Sequence, residues 1–136
     1  AMTFSPVPFE DFHRFLGYVY LRKGMRAEAM EEFDIAVGLL PSAPVVMRMG
    51  AATYSSEGFE FSDDGDFEGA LILHRVAARI KPDYANAKYG IALALEGLGR
   101  KEESARYWRE YLVLAPQGDE FRQEAARHLE RLSKGR

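Results

Sequence analysis

Three prolines stand at one fixed distance behind three glycines: Pro41 after Gly24, Pro82 after Gly65 and Pro116 after Gly99, 17 residues in each case. Each proline closes an apolar stretch, ending Leu39-Leu40, Arg79-Ile80-Lys81 and Val113-Leu114-Ala115. Behind the glycines, small residues recur in register at Ala29, Ala70 and Ser104. Further upstream lie Leu16-Gly17 with Tyr20, Gly50-Ala51 with Tyr54, and Ile91-Ala92 with Leu95. Such self-similarity restricts a chain to stacked copies of one small unit. The units read as Glu10–Ala43 and Ala85–Gly118, 34 residues each, and Pro44–Tyr84, which has 41. On this reading the seven extra residues fall at Gly58–Asp64, a loop insertion. Asp119–Arg136 begins a fourth unit and supplies one more helix.

Within the units the apolar period is helical. Phe12, Phe15, Leu16, Val19 and Tyr20 share one side of a first helix, and Met30, Phe33, Val37 and Leu40 one side of a second. Two helices joined through a glycine turn form an αα-hairpin, and one hairpin cannot cover its own apolar flank. Small residues at Gly17, Ala51 and Ala92 are expected to face Phe33, His74 and Trp108. The unit-ending prolines lack an N–H and bias their predecessors away from helix, which sets the corners. Seven helices are expected, at 11–23, 26–40, 44–57, 66–80, 85–97, 101–114 and 119–133. The last carries Phe121, Ala125, Ala126, Leu129 and Leu132 opposite Arg122, Gln123, Arg127, Glu130, Arg131 and Lys134, as a cap needs. Residues 1–9, with Phe4, Val7 and Phe9 between Pro6 and Pro8, read as an extended lead-in over the first hairpin. Ala1 before Met2 reads as a cloning remnant on a domain taken from a longer protein.

This spacing resembles the tetratricopeptide repeat, a 34-residue pattern of Leu-Gly, Tyr, Ala, Phe, Ala and Pro. The first unit matches at Leu16, Gly17, Tyr20, Ala29, Phe33, Ala36 and Pro41. The second matches at Ala51, Tyr54, Ala70, Ala77 and Pro82, and the third at Ile91, Ala92, Leu95, Trp108 and Pro116. Departures include His13, Gly50, His74, Lys88 and Tyr111. The resemblance implies an all-α fold, a right-handed solenoid of αα-hairpins forming a single domain over 10–136.

Composition narrows the chemistry. With no cysteine, thiolate metal sites and thiol catalysis are excluded. A net charge of −3 offers no basic field for nucleic acid. No apolar run reaches the ~18 residues of a membrane span, and the first residues lack the pattern of a signal peptide, so a cytoplasmic location is expected. There is no HExxH, GxSxG or phosphate-binding loop, and Gly97-Leu98-Gly99 sits between helices. The acidic run Asp63-Asp64-Gly65-Asp66 fails as a calcium loop because Arg75 takes the place of the twelfth-position glutamate. Asp66 is instead a helix N-cap, and His74 a hydrogen-bonded histidine at a helix contact. No metal, no cofactor and no enzymatic activity are expected.

Function is therefore sought in surfaces. The family lines a concave groove with the first helix of each pair. By that resemblance the groove residues are Asp11, Arg14, Tyr18, Leu21 and Arg22, then Val45, Arg48, Ala52, Ser55 and Ser56, then Asn86, Tyr89, Leu93, Glu96 and Gly97, with Gln123 and Arg127 added by the last helix. Tyrosine and arginine commonly anchor interfaces. The subset of the family that grips a C-terminal carboxylate needs cations or asparagines at places matched here by Arg14, Tyr18, Met49, Asn86 and Gly90, and only Arg14 is a cation. A carboxylate clamp is not expected. The insertion, with Phe59, Glu60, Phe61, Asp63 and Asp64, reads as a neutral excursion, a contact loop, or a plug folded toward Arg14, Arg22 and Arg48. The expected role is a protein-interaction module binding a peptide or helix in its groove. The alternatives are an assembly protein acting through self-association and a small secretion-type chaperone.

Overall fold

The computed structural model describes residues 9–134, so the lead-in lies outside the described residues except for Phe9, which opens the first helix. Among the described residues seven α-helices follow in order: α1 (Phe9–Arg22), α2 (Arg26–Gly38), α3 (Pro44–Asp63), α4 (Phe67–Ile80), α5 (Ala85–Gly97), α6 (Lys101–Leu114) and α7 (Phe121–Lys134). The chain divides into two compact units between Val46 and Met47.

The repeat glycines make the hairpin turns. Gly24, Gly65 and Gly99 have φ of 75°, 83° and 78°, the left-handed region that a side chain disfavours. After each, the next backbone N–H reaches back over the helix end: Met25 to the Tyr20 carbonyl, Asp66 to Phe61 and Arg100 to Leu95, each at 2.9 Å. This closes the helix carbonyls in the Schellman manner. Asp66 is an N-cap as expected, its carboxylate accepting from the Gly69 N–H at 2.9 Å.

In the first unit Gly17 lies against Phe33, so close that a Cβ there would stand 2.4 Å from the ring. His13 Nδ1 and the Glu32 carboxylate, 2.6 Å apart, add a polar tie between α1 and α2. One part of the expected core stripe turns outward. Phe12, Phe15 and Val19 are 55%, 54% and 48% exposed, while Gly17, Tyr18 and Leu21 are the buried positions of α1.

The second unit corrects the place of the insertion. Residues 58–63 are not a loop but the last turns of α3, and Asp64 lies in the turn beyond. Phe61 is fully buried, and a Cβ on Gly69 would stand 2.6 Å from its ring. The partner of His74 is Gly58, not Ala51: a Cβ at Gly58 would lie 2.7 Å from the imidazole. Gly58 precedes the turn glycine Gly65 by seven residues, as Gly17 precedes Gly24 and Ala92 precedes Gly99. The extra seven residues therefore sit at the front of α3, near 44–50, as about two added helical turns. As helix, residues 58–63 form neither the expected loop nor a loop folded back as a plug.

Further along, Ser104 donates to the Ala92 carbonyl at 2.7 Å, fastening α6 to α5. Trp108 fills its expected slot, fully buried among Ala92, Ala105, Tyr111, Ala125 and Leu132. Helix α7 closes this core with Ala125 and Leu132, although Ala126 of the expected stripe is exposed. Arg122 holds the end of α6 by donating to the Leu112 and Ala115 carbonyls at 2.7 and 2.8 Å.

Candidate functional site

A cavity of about 310 Å3 opens in the second unit, lined by Phe59 of α3, Asn86, Tyr89 and Leu93 of α5, and Phe121 of α7. It falls at the small end of the ~300–1,000 Å3 typical of ligand pockets. Asn86, Tyr89 and Leu93 lie three and four residues apart, so one face of α5 presents all three. Tyr89 is the hub. Its ring meets Trp108 edge to face at 4.8 Å, Tyr111 at 5.2 Å, Phe121 at 5.8 Å and Phe59 at 6.2 Å between centroids. Rings locked to one another at these angles form a preshaped wall. Burial pushes the Tyr89 phenol above its ordinary pKa, and the nearby Glu124 carboxylate adds to the effect.

Behind Phe59 stands His74. Its imidazole is fully buried, 3.1 Å from the Ser55 hydroxyl through Nδ1 and 4.5 Å from the Phe59 ring. Burial disfavours the imidazolium and lowers the pKa to about 3. The folded protein thus keeps His74 neutral where an unfolded chain takes up a proton. Stability contributed this way is complete above pH ~6.5 and falls as pH drops toward 3, by ~1.4 kcal/mol per pH unit from this group. Urea unfolding at pH 7 and pH 5 should show that loss, and His74→Phe should flatten the slope relative to the parent. An unchanged slope in the variant would place the acid sensitivity elsewhere.

The chain superimposes on several solved domains. It matches the Sgt2 TPR domain from Aspergillus fumigatus with TM-score 0.55 and 18% identity, covering 96% of this chain and 80% of that one. The Arabidopsis OM64 TPR domain gives 0.58 at 23% identity, covering 92% of this chain and 94% of that one. The second TPR domain of human RPAP3, solved with an HSP70 peptide, gives 0.57 at 17% identity, covering 92% and 95%. The fold is that of a tetratricopeptide-repeat domain. The sequence matches no family model and no curated protein.

In tetratricopeptide-repeat terms, the residue after each small helix-packing residue is Tyr18, Phe59 and Leu93. The structure brings Phe59 and Leu93 to the cavity with Asn86 and Tyr89. Phe59 is thus a helical pocket residue, not a loop contact, and the seven-residue spacing from Gly58 to Gly65 is the signal that marks it. Phe121, part of the expected capping stripe, is 49% exposed and lines the cavity.

The other expected groove residues have different surroundings. Of those in α3, Ser55 is buried under His74, Ala52 is half-buried, and Arg48 is exposed on the added front turns. Glu60 and Asp63 are exposed on α3. Glu96 faces α7, where Arg131 donates to it at 2.6 Å and His128 Nδ1 lies 3.1 Å away. In the first unit Tyr18 and Leu21 are buried, and Arg22 is exposed. Arg14 is held on its own helix, 3.2 Å from Glu10, 2.7 Å from Asp11 and 3.3 Å from the Tyr18 hydroxyl. Burial opposes its charge, but these partners outweigh that and raise its pKa further. Among the described residues no group of three or more side chains is arranged to hold a metal ion, and no helix is long and apolar enough to cross a membrane.

Proposed function

We propose that this chain is a non-enzymatic interaction module that holds a segment of a partner protein against the face built by α3, α5 and α7. The observation that carries this reading is the cavity of about 310 Å3, with Phe59, Tyr89, Leu93 and Phe121 around it and Asn86 at its edge. Aromatic side chains are among the residue types that most often carry the binding energy at protein interfaces. Asn86 is exposed and offers both a donor and an acceptor to a peptide backbone. The human RPAP3 domain of the same fold was solved with an HSP70 peptide. With α3 in its corrected register, the clamp position given to Met49 passes to Ser56, which also lacks an asparagine. This reading therefore does not rest on a grip of a terminal carboxylate.

A peptide-library selection on the immobilised chain, repeated with Leu93→Arg, tests the site. Arginine there fills the cavity, and the selected peptides should bind the variant at least tenfold more weakly, about 1.4 kcal/mol. Circular dichroism checks that the variant remains helical. If the peptides bind both proteins equally, the pocket is not where they dock.

A further inference from the structure

The pocket has two properties that a simple greasy slot does not need. Three aromatic rings surround it, and they are set at steep angles, Phe121 at 68° and Phe59 at 60° to Tyr89. A guest inside therefore meets aromatic surface from several directions, and aromatic faces carry negative charge density. The second property is the charge around Tyr89. Glu124, Asp119 and Glu96 all act to hold the proton on its phenol, while Arg127 opposes them. Arg127 is itself paired with Glu124. Glu96 is likewise engaged, by Arg131. Among the described residues this leaves Asp119 as the one of the three carboxylates with no arginine against it, and with the rings it favours a guest of positive charge and little hydration.

We propose that Phe59, Tyr89 and Phe121 form an aromatic cage for the cationic head of a basic side chain, lysine, methylated lysine or arginine, carried by the partner segment. This rests on the reading that the pocket is where the segment docks, and it adds the chemistry of the anchor. The alkyl stem lies along Leu93, the head sits among the rings, and Asn86 takes the neighbouring backbone. Cation–aromatic attraction is strongest where the head is desolvated and has shed water easily, which favours methylated ammonium and guanidinium over a bare ammonium. An acidic anchor is disfavoured by the ring faces and by Asp119.

The test compares two ligands of one shape. N-acetyl-trimethyllysine methylamide and its neutral analogue, with a tert-butyl group in place of trimethylammonium, are titrated into the 15N-labelled full chain. The expected result is shifts at Tyr89, Leu93 and Phe121, with the cation bound about fivefold more tightly than its neutral twin. Phe121→Leu, a change at a half-exposed ring, should shrink that preference. Equal affinities would overturn the cage and leave an apolar anchor site in place. Silence of these resonances toward both ligands would overturn the docking site as well. Choline should bind more weakly than the lysine derivative, because it offers Asn86 no backbone. Choline binding as tightly would assign the cage to a free ammonium and overturn the partner segment.

Discussion

Gly90→Ala is expected to destabilise the protein by about 2 kcal/mol, although alanine is the better helix former. Two effects oppose each other at this position. Glycine inside a helix is less favourable than alanine by ~1 kcal/mol, which favours the substitution. Against it, the new Cβ would stand 2.1 Å from the His74 ring, far inside van der Waals contact. The ring has little room to retreat, with Gly58 on another side, Phe59 at 4.5 Å and Ser55 bonded to Nδ1. Overpacking of a filled core costs about 1–3 kcal/mol or more, so the clash dominates. The contact also predicts non-additivity. In a His74→Ala background the ring is gone, and Gly90→Ala should become neutral or stabilising. A double-mutant cycle by urea unfolding measures the coupling. If Gly90→Ala is harmless with His74 intact, then α4 and α5 do not meet as described.

Trp108→Ala should have the largest effect of any single truncation, about 3–5 kcal/mol, against a total of ~5–15 kcal/mol for a domain. The indole is fully buried, stacked on His128 at 4.7 Å and edge to face with Tyr89 at 4.8 Å. Its loss opens a cavity behind the pocket wall and removes the surface on which α7 rests. Thermal unfolding should drop by roughly 10–20 °C, with pocket affinity weakened together with stability. Trp108→Phe should lose much less, since Phe33 fills the same slot in the first repeat. Equal losses in both variants would mean that the volume of the side chain is not what the site requires.

Much of this architecture was legible in residue order. The glycines 24, 65 and 99 announced three left-handed turns, and the prolines marked the corners. Helices α5 and α6 fall at their expected bounds, and α7 forms near its own. Of the five α5 residues expected in the groove, Asn86, Tyr89 and Leu93 line the cavity, and Glu96 and Gly97 do not. Two kinds of fact were not legible. Phe121 joins the pocket through the docking of α7, a contact between segments about 30 residues apart for which no local pattern exists. Likewise Glu96 is engaged by His128 and Arg131, whose side chains say nothing of their partner until α7 is seated.

The position of the extra seven residues shows the division most clearly. Seven residues are almost two full helical turns, so sliding a helix by seven rotates its face by only ~20°. Hydrophobic periodicity is therefore nearly the same whether the addition lies at the front of α3 or at its end. The repeat, its turns and its helical faces depend on local spacing and were determined by the sequence alone. Which residue of α3 meets His74 depends on a close approach between helices, where only a glycine leaves room for the ring. The Gly58–Gly65 spacing carries that register in the sequence, but only tertiary packing shows the close approach that selects it and brings Phe59 to the pocket.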